Sequence, residues 1–384
     1  MEFINAYLFT AEEETYENGY LRVENGKITG IGSMENYTAD GSEVIDLTGK
    51  RIYPGFIDAH CHIGMWEDGL TFEGADGNES TDPITCELRA IDAINPLDRC
   101  FTEAIEGGIT CVLTGPGSAN PIGGSWTAMK TYGNCVDDMA FIPEIGMKFA
   151  FGENPKRVYN GKGKAPSTRM ATAALIRKQL IKTRNYLEAT EKANNDPSAS
   201  APAYDMQCEA LLPILKREKK AFIHCHRADD ILTALRITKE FNLDTVFVHC
   251  TEGYMIADIL KAENAAIITG PYLSERSKPE LKNMTPAGPG ILSHAGLKVA
   301  ICTDHPVIPI QYLPLTAGIA VKEGMAYDEA IRALTIYAAN AAGIADRVGS
   351  LKVGKDADFT VYAGDPLSVY AKPEMVFIDG VKRS

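Results

Sequence analysis

The chain has 384 residues, 45% of them hydrophobic and 23% charged, the composition of a globular protein with room for one large core and a smaller unit. Its formal net charge of −13 at pH 7 argues against nucleic acid or an anionic membrane as partner, because both call for a basic surface. No run of about 18 apolar residues is available to span a bilayer and no basic-then-apolar leader is read; with nine cysteines and no Cys-x-x-Cys spacing, reduced thiols and a cytoplasmic location are expected.

Short β-rich runs come first, Ala6 to Thr10 and Gly19 to Ile31, with Asn25-Gly26 as a two-residue hairpin signal. Val44 to Leu47 adds a strand, and the far end of the chain repeats the texture in Asp358 to Tyr362 and Met375 to Ile378. Neither end is large enough for a stable sheet alone. Residues 1–52 and 350–384 are therefore expected to combine into one small β-sandwich, flanking a domain of residues 53–349.

That domain opens with Ile52-Tyr53-Pro54-Gly55-Phe56-Ile57-Asp58-Ala59-His60-Cys61-His62, an apolar β-run ending in two histidines one residue apart. Residues i and i+2 of a strand share a face, so both imidazoles aim at one point, the convergence a metal ion requires. Cys61 alternates with them and is expected to face the helices, as is Cys225. The polar connection from Gly64 to Asn95 reads as a lid or binding loop. A helix over Pro96 to Glu106 and a strand over Ile109 to Thr114 follow. Gly115 to Gly124 is glycine-rich without the ending of a phosphate loop or the spacing of a dinucleotide loop, and reads as a turn-rich active-site loop.

Met139 to Ile142 and Gly146 to Gly152 are strand-like with no room for a helix between them, a departure from strict βα alternation. From Lys156 to Arg184 there are nine Lys or Arg and no Asp or Glu. This run reads as a solvated helix face or as an attractor for an anionic substrate or an acidic partner subunit. Beyond Pro213 the rhythm is regular: strand Ala221 to His224, helix Asp229 to Glu240, strand Thr245 to His249, helix Tyr254 to Glu263, strand Ala266 to Thr269. After a long loop, Pro271 to Pro289, come a helix near Ile291, the strand Lys298 to Thr303 and a helix from Tyr327 to Asn340. Such alternation predicts an α/β fold with a parallel sheet, here a closed barrel.

Ligand chemistry sits at the ends of four of these strands: His60 and His62, His224 with His226, His249, and Asp304 in Cys302-Thr303-Asp304-His305-Pro306. Five of the seven histidines belong to this set, and separate packing accidents would be needed to explain each otherwise. His294 is expected to be structural.

The Pro-Gly-Phe-Ile-Asp-Ala-His-x-His run resembles the first barrel strand of the amidohydrolase superfamily, in particular its imidazolonepropionase-related members. Val353 to Phe359 resembles the return strand of their flanking sandwich. The resemblance implies a (β/α)8 TIM barrel and a metal-dependent hydrolase acting on a C–N bond, holding one or two divalent ions, zinc foremost, through His60, His62, His224, His249 and Asp304. Gly146 to Phe151 is similar to the strand that carries a carboxylated bridging lysine, here Lys148; Glu144 and Glu153 are the alternative bridges. It further implies Asp304 as the catalytic proton acceptor, and His226, Arg227 and His305 as substrate contacts. An imidazolonepropionase-like ring opening, a prolidase-like dipeptidase and a metal-free, non-catalytic scaffold are the other readings. The partner is expected to be a small molecule, with a homo-oligomer as a further expectation. Lys156, Arg157 and Arg227 near strand ends suggest that the substrate bears a carboxylate, which arginine grips through paired hydrogen bonds.

Overall fold

The computed structural model describes residues 1–69 and 71–384. Eight strands follow one another across a single curved sheet: Phe56–Cys61 (β1), Ile109–Thr114 (β2), Ile122–Lys130 (β3), Ala140–Ala150 (β4), Lys220–Cys225 (β5), Thr245–His249 (β6), Ala266–Thr269 (β7) and Val299–Ile301 (β8). β1 and β8 meet at a seam that nearly closes the barrel. There the Asp304 amide donates to the His60 carbonyl at 3.1 Å and the His62 amide to the His305 carbonyl at 2.9 Å. The Asp of the first-strand motif secures the same seam, because buried Asp58 accepts hydrogen bonds from the Thr303 amide at 3.1 Å and from the Thr303 hydroxyl. Burial raises Asp58 to about 7, although these bonds and the His60 amide oppose the rise.

The expected (β/α)8 architecture is present with one reversal, since β3 is antiparallel to both β2 and β4. Only residues 115–121 join β2 to β3, fewer than the dozen or so that a parallel crossover takes, so the chain must turn back on itself. This corrects two expectations. The glycine-rich stretch 115–124 is not loop throughout, and the two short runs before residue 152 are one continuous strand. Gly124 belongs in a strand here because a Cβ would stand 2.7 Å from the Leu88 carbonyl oxygen, where residues 83–89 press against β3.

Side chains pointing into the barrel, among them Trp126, Phe222, Val246, Ile268 and Ala300, pack on the helix Ile336–Ala342 at its base. The opposite faces pack against the surrounding helices and include Cys61 and Cys225, as alternation predicts. The helix expected over 327–340 is two helices, Tyr327–Ala333 and Ile336–Ala342, and Leu313–Lys322 is a helix not anticipated. The basic run is neither a bare solvated face nor wholly an attractor. Along the helix Arg169–Asn195, Arg169 pairs with Asp230 at 3.0 Å, Arg177 with Glu240 at 2.6 Å and Lys182 with Asp205 at 2.7 Å. Among the described residues, no helix is long and apolar enough to cross a membrane.

Both chain ends build a second eight-stranded sheet, joined where Phe359–Tyr362 lies antiparallel to Arg51–Pro54. Phe3 stands 5.0 Å from each of Phe359 and Phe377, ring centre to ring centre, at the heart of its own core. The strand Arg51–Pro54 runs two residues past the boundary expected at residue 52. Lys130, at the end of β3, ties this sheet to the barrel: its ammonium lies 2.6 Å from Asp358 and 3.0 Å from both Asp356 and Asp379.

Candidate metal centre and active-site cavity

The strand ends deliver two groups of ligand atoms to the barrel mouth, His60, His62 and Asp304 in one, and His224, His226 and His249 in the other. Within each group the ligand atoms lie within 4.8 Å of one another. Asp304 Oδ1 is 3.3 Å from His60 Nε2 and 3.2 Å from His62 Nε2. The groups adjoin, with the His60 and His249 ring centres 5.0 Å apart. Lys148 is fully buried beside them, its Nζ 3.4 Å from His60 Nε2.

Three rings are oriented from behind. His62 Nδ1 bonds the Gly115 carbonyl, His249 Nδ1 the Gly270 carbonyl and His226 Nδ1 the Thr251 hydroxyl, each at 2.7 Å, which turns Nε2 toward the mouth. Trp126 forms the floor, stacked on His60 at 4.5 Å. Register pairs His249 with Cys225, whose side chain faces the helices, so a regular strand would carry His249 outward. Left-handed backbone at His249 (φ 72°) and Cys250 (φ 45°) ends β6 and returns the ring to the centre; Asp304 is left-handed too, at φ 55°. Non-glycine residues rarely adopt this conformation, and it concentrates at functional sites.

Burial disfavours charged imidazole here, lowering His249 to about 4 and holding His60, His224 and His226 well below their ordinary value. Neutral rings offer the lone pairs a cation needs. Burial also brings Lys148 down to about 7, with Asp304 opposing. For Asp304 itself burial pushes upward, but His249 and the hydrogen bonds from His60 and His62 prevail and keep it ionised.

Above the two groups opens a cavity of about 520 Å³. His62, Trp66 and Asp304 line one side; Asn154, Arg157 and Lys278 line another. This catalytic-face geometry coincides with a family match: the sequence model of the amidohydrolase family covers residues 51–382. The chain belongs to the amidohydrolase family. Members of this family are generally metal-dependent, and the match supports a hydrolase acting on carbon–nitrogen bonds. A solved amidohydrolase from Thermotoga maritima MSB8 is 39% identical with a TM-score of 0.95, covering 99% of this chain and 98% of that one. The amidohydrolase tasK of Hapsidospora irregularis is 29% identical over 94% of this chain but only 39% of its own length, so the chain spans about two-fifths of that relative. An imidazolonepropionase from Fusobacterium nucleatum is 23% identical, covering 92% of this chain and 87% of its own. A Xaa-Pro dipeptidase at 17% identity and a TM-score of 0.58 shares the fold.

In this amidohydrolase most of the anticipated residues converge, but several do not. His226 was expected apart from the ligands, yet its ring stacks on His249 at 4.7 Å within the second group. Arg227 is not brought to the cavity: it begins the helix Ala228–Phe241, and its guanidinium is paired with Asp229 at 2.9 and 2.8 Å. His305 is buried beside His62 and does not line the cavity. Glu144 lies toward the start of β5, 3.6 Å from Lys219, and Glu153 contributes a backbone amide; neither belongs to a ligand group among the described residues. Sequence reasoning missed Glu280, a buried carboxylate whose Oε1 is 3.6 Å from His226 Nε2 and 3.9 Å from His224 Nε2. It comes from the long loop 271–289, where no motif announces it.

Proposed function

We propose that this amidohydrolase hydrolyses the C–N bond of a small, carboxylate-bearing amide, cyclic amide or amidine-like compound, using one or two divalent ions, zinc foremost. The donor set supports the reading: neutral, buried imidazoles and one ionised carboxylate converge at the mouth, the borderline nitrogen-oxygen environment zinc prefers. His60, His62 and Asp304 would hold one ion, His224 and His249 a second, and Lys148 would bridge them as a carbamate, with His226 turned to substrate or ligand. A divalent ion held there lowers the pKa of water to about 7 and polarises a carbonyl. Asp304 accepts the proton released by the attacking water and returns it to the departing nitrogen. The two sheets, each with its own core, support a terminal unit of residues 1–52 and 350–384 beside a catalytic unit of 53–349.

Elemental analysis of purified protein tests this reading. Stoichiometric divalent metal is expected, with activity lost on chelation and restored by zinc; metal-free protein with its fold intact would favour the scaffold reading. Lys148 carries a separate expectation. Native mass analysis should show one added CO2, and reconstitution without bicarbonate should give lower activity. An unmodified lysine at full activity removes the bridge and leaves separate or single ions.

A further inference from the structure

We infer that Arg157 and Lys278 form an anion-holding wall of the cavity and select substrates by a carboxylate set apart from the scissile bond. The inference rests on the hydrolytic reading for what is cut, but not for what is bound. Of the cations expected to meet a carboxylate, it keeps Arg157, drops Arg227, which Asp229 already engages, and adds Lys278; the structure places Arg157 and Lys278 at the site.

Arg157 extends from the helix Glu153–Asn160, which starts directly after β4, and no carboxylate among the described residues lies within 4.0 Å of it. Lys278 arrives from the opposite loop and donates to Asn154 Oδ1 at 3.2 Å. Glu280, itself buried, holds the Lys278 ammonium at 2.8 Å while its other oxygen accepts the Glu153 amide at 2.9 Å. One buried carboxylate thus fixes Lys278 and the start of the Arg157 helix together. The remaining polar side chains on this wall, Ser118, Asn154, Ser274 and Ser277, can all donate hydrogen bonds. Glu280 cancels Lys278, and Arg157 leaves this wall with a net positive charge in a protein whose formal charge is −13. A planar, bidentate guanidinium beside a point ammonium suits a carboxylate.

Titration calorimetry on the metal-loaded enzyme provides the test, with a panel of N-acetyl-L-amino acids and the matching neutral N-methyl amides. Acids should bind about 10- to 100-fold more tightly than their amides, as charge-assisted contacts imply. Arg157→Gln should erase most of that preference, Arg157→Lys should restore part of it, and binding of the amides should not change. Lys278→Met should weaken the acids alone, leaving the amides unchanged. If no acid binds better than its amide, or if the preference survives in an Arg157→Gln/Lys278→Met double variant, the inference is overturned. Acetate release is followed in parallel: acid-selective binding without hydrolysis of either series would count against the proposed reaction on these compounds and leave the anion wall standing.

Discussion

Asp304→Asn and His60→Ala should each abolish hydrolysis, by at least the ~10²–10⁴-fold that a positioned proton acceptor supplies alone, while the protein stays folded. Asp304 Oδ1 faces both first-strand histidines, so under the proposed mechanism its replacement would remove a cation's anionic ligand and the proton acceptor at once. Asparagine is the informative substitute. It tolerates the left-handed backbone that Asp304 adopts, so loss of activity would report on charge and not on a refolded turn. His60→Ala removes an imidazole at the mouth and leaves the apolar interior beneath it intact. The measurements are kcat/KM, bound metal and circular dichroism. Turnover retained by both variants would rule out the proposed centre.

The largest effect on stability is expected far from the mouth, at Lys130. Its side chain is 6% exposed and its ammonium is the cation paired with Asp358, while Asp356 also has Lys27 at 2.5 Å and Arg347 at 2.8 Å. Burial pushes Asp358 upward and Lys130 opposes that shift, so Lys130→Ala strands a buried carboxylate. Breaking such a pair from one side costs about 3–5 kcal/mol, whereas replacing both partners by apolar groups is often close to neutral. Lys130→Ala should therefore lower the urea midpoint sharply, and Lys130→Met combined with Asp358→Leu should recover much of the loss. A single variant with an unchanged midpoint would show that the cluster contributes nothing to holding the two sheets together.

The sequence was most legible where strand rhythm and chemistry coincide. His60, His62, His224 and Asp304 follow apolar runs whose strands could be placed, and their convergence is a consequence of the barrel. His249 was named from its place at a strand end, although alternation alone would send it outward; the backbone twist that turns it inward has no sequence signature. β3 was hidden because glycines at its start mimic a loop, and with it went Trp126 and Lys130. Arg227 misled for a local reason, since a residue opening a helix can reach an acid in the first turn, and Asp229 stood within its range. Glu280 and Lys278 depend on how a long loop folds back over the mouth, which no periodicity encodes.

The reversal of β3 also bears on how this barrel can change its substrate. Barrels usually diversify by exchanging the loops that follow their strands, since those loops stand clear of the scaffold. Here the loop after β1 is committed elsewhere. Thr85 and Leu88 hydrogen-bond along β3, Lys162 and Lys164 grip the carbonyls of Ser80 and Thr81 at 2.6 Å, and Gln207 holds Ile84 at 3.1 Å. Shortening or grafting residues 78–89 would strip the flank of β3 as well as reshape the cavity. Changes of specificity are therefore expected to concentrate in residues 271–289, and paralogues with new substrates should keep the length of the first loop while diverging in the second.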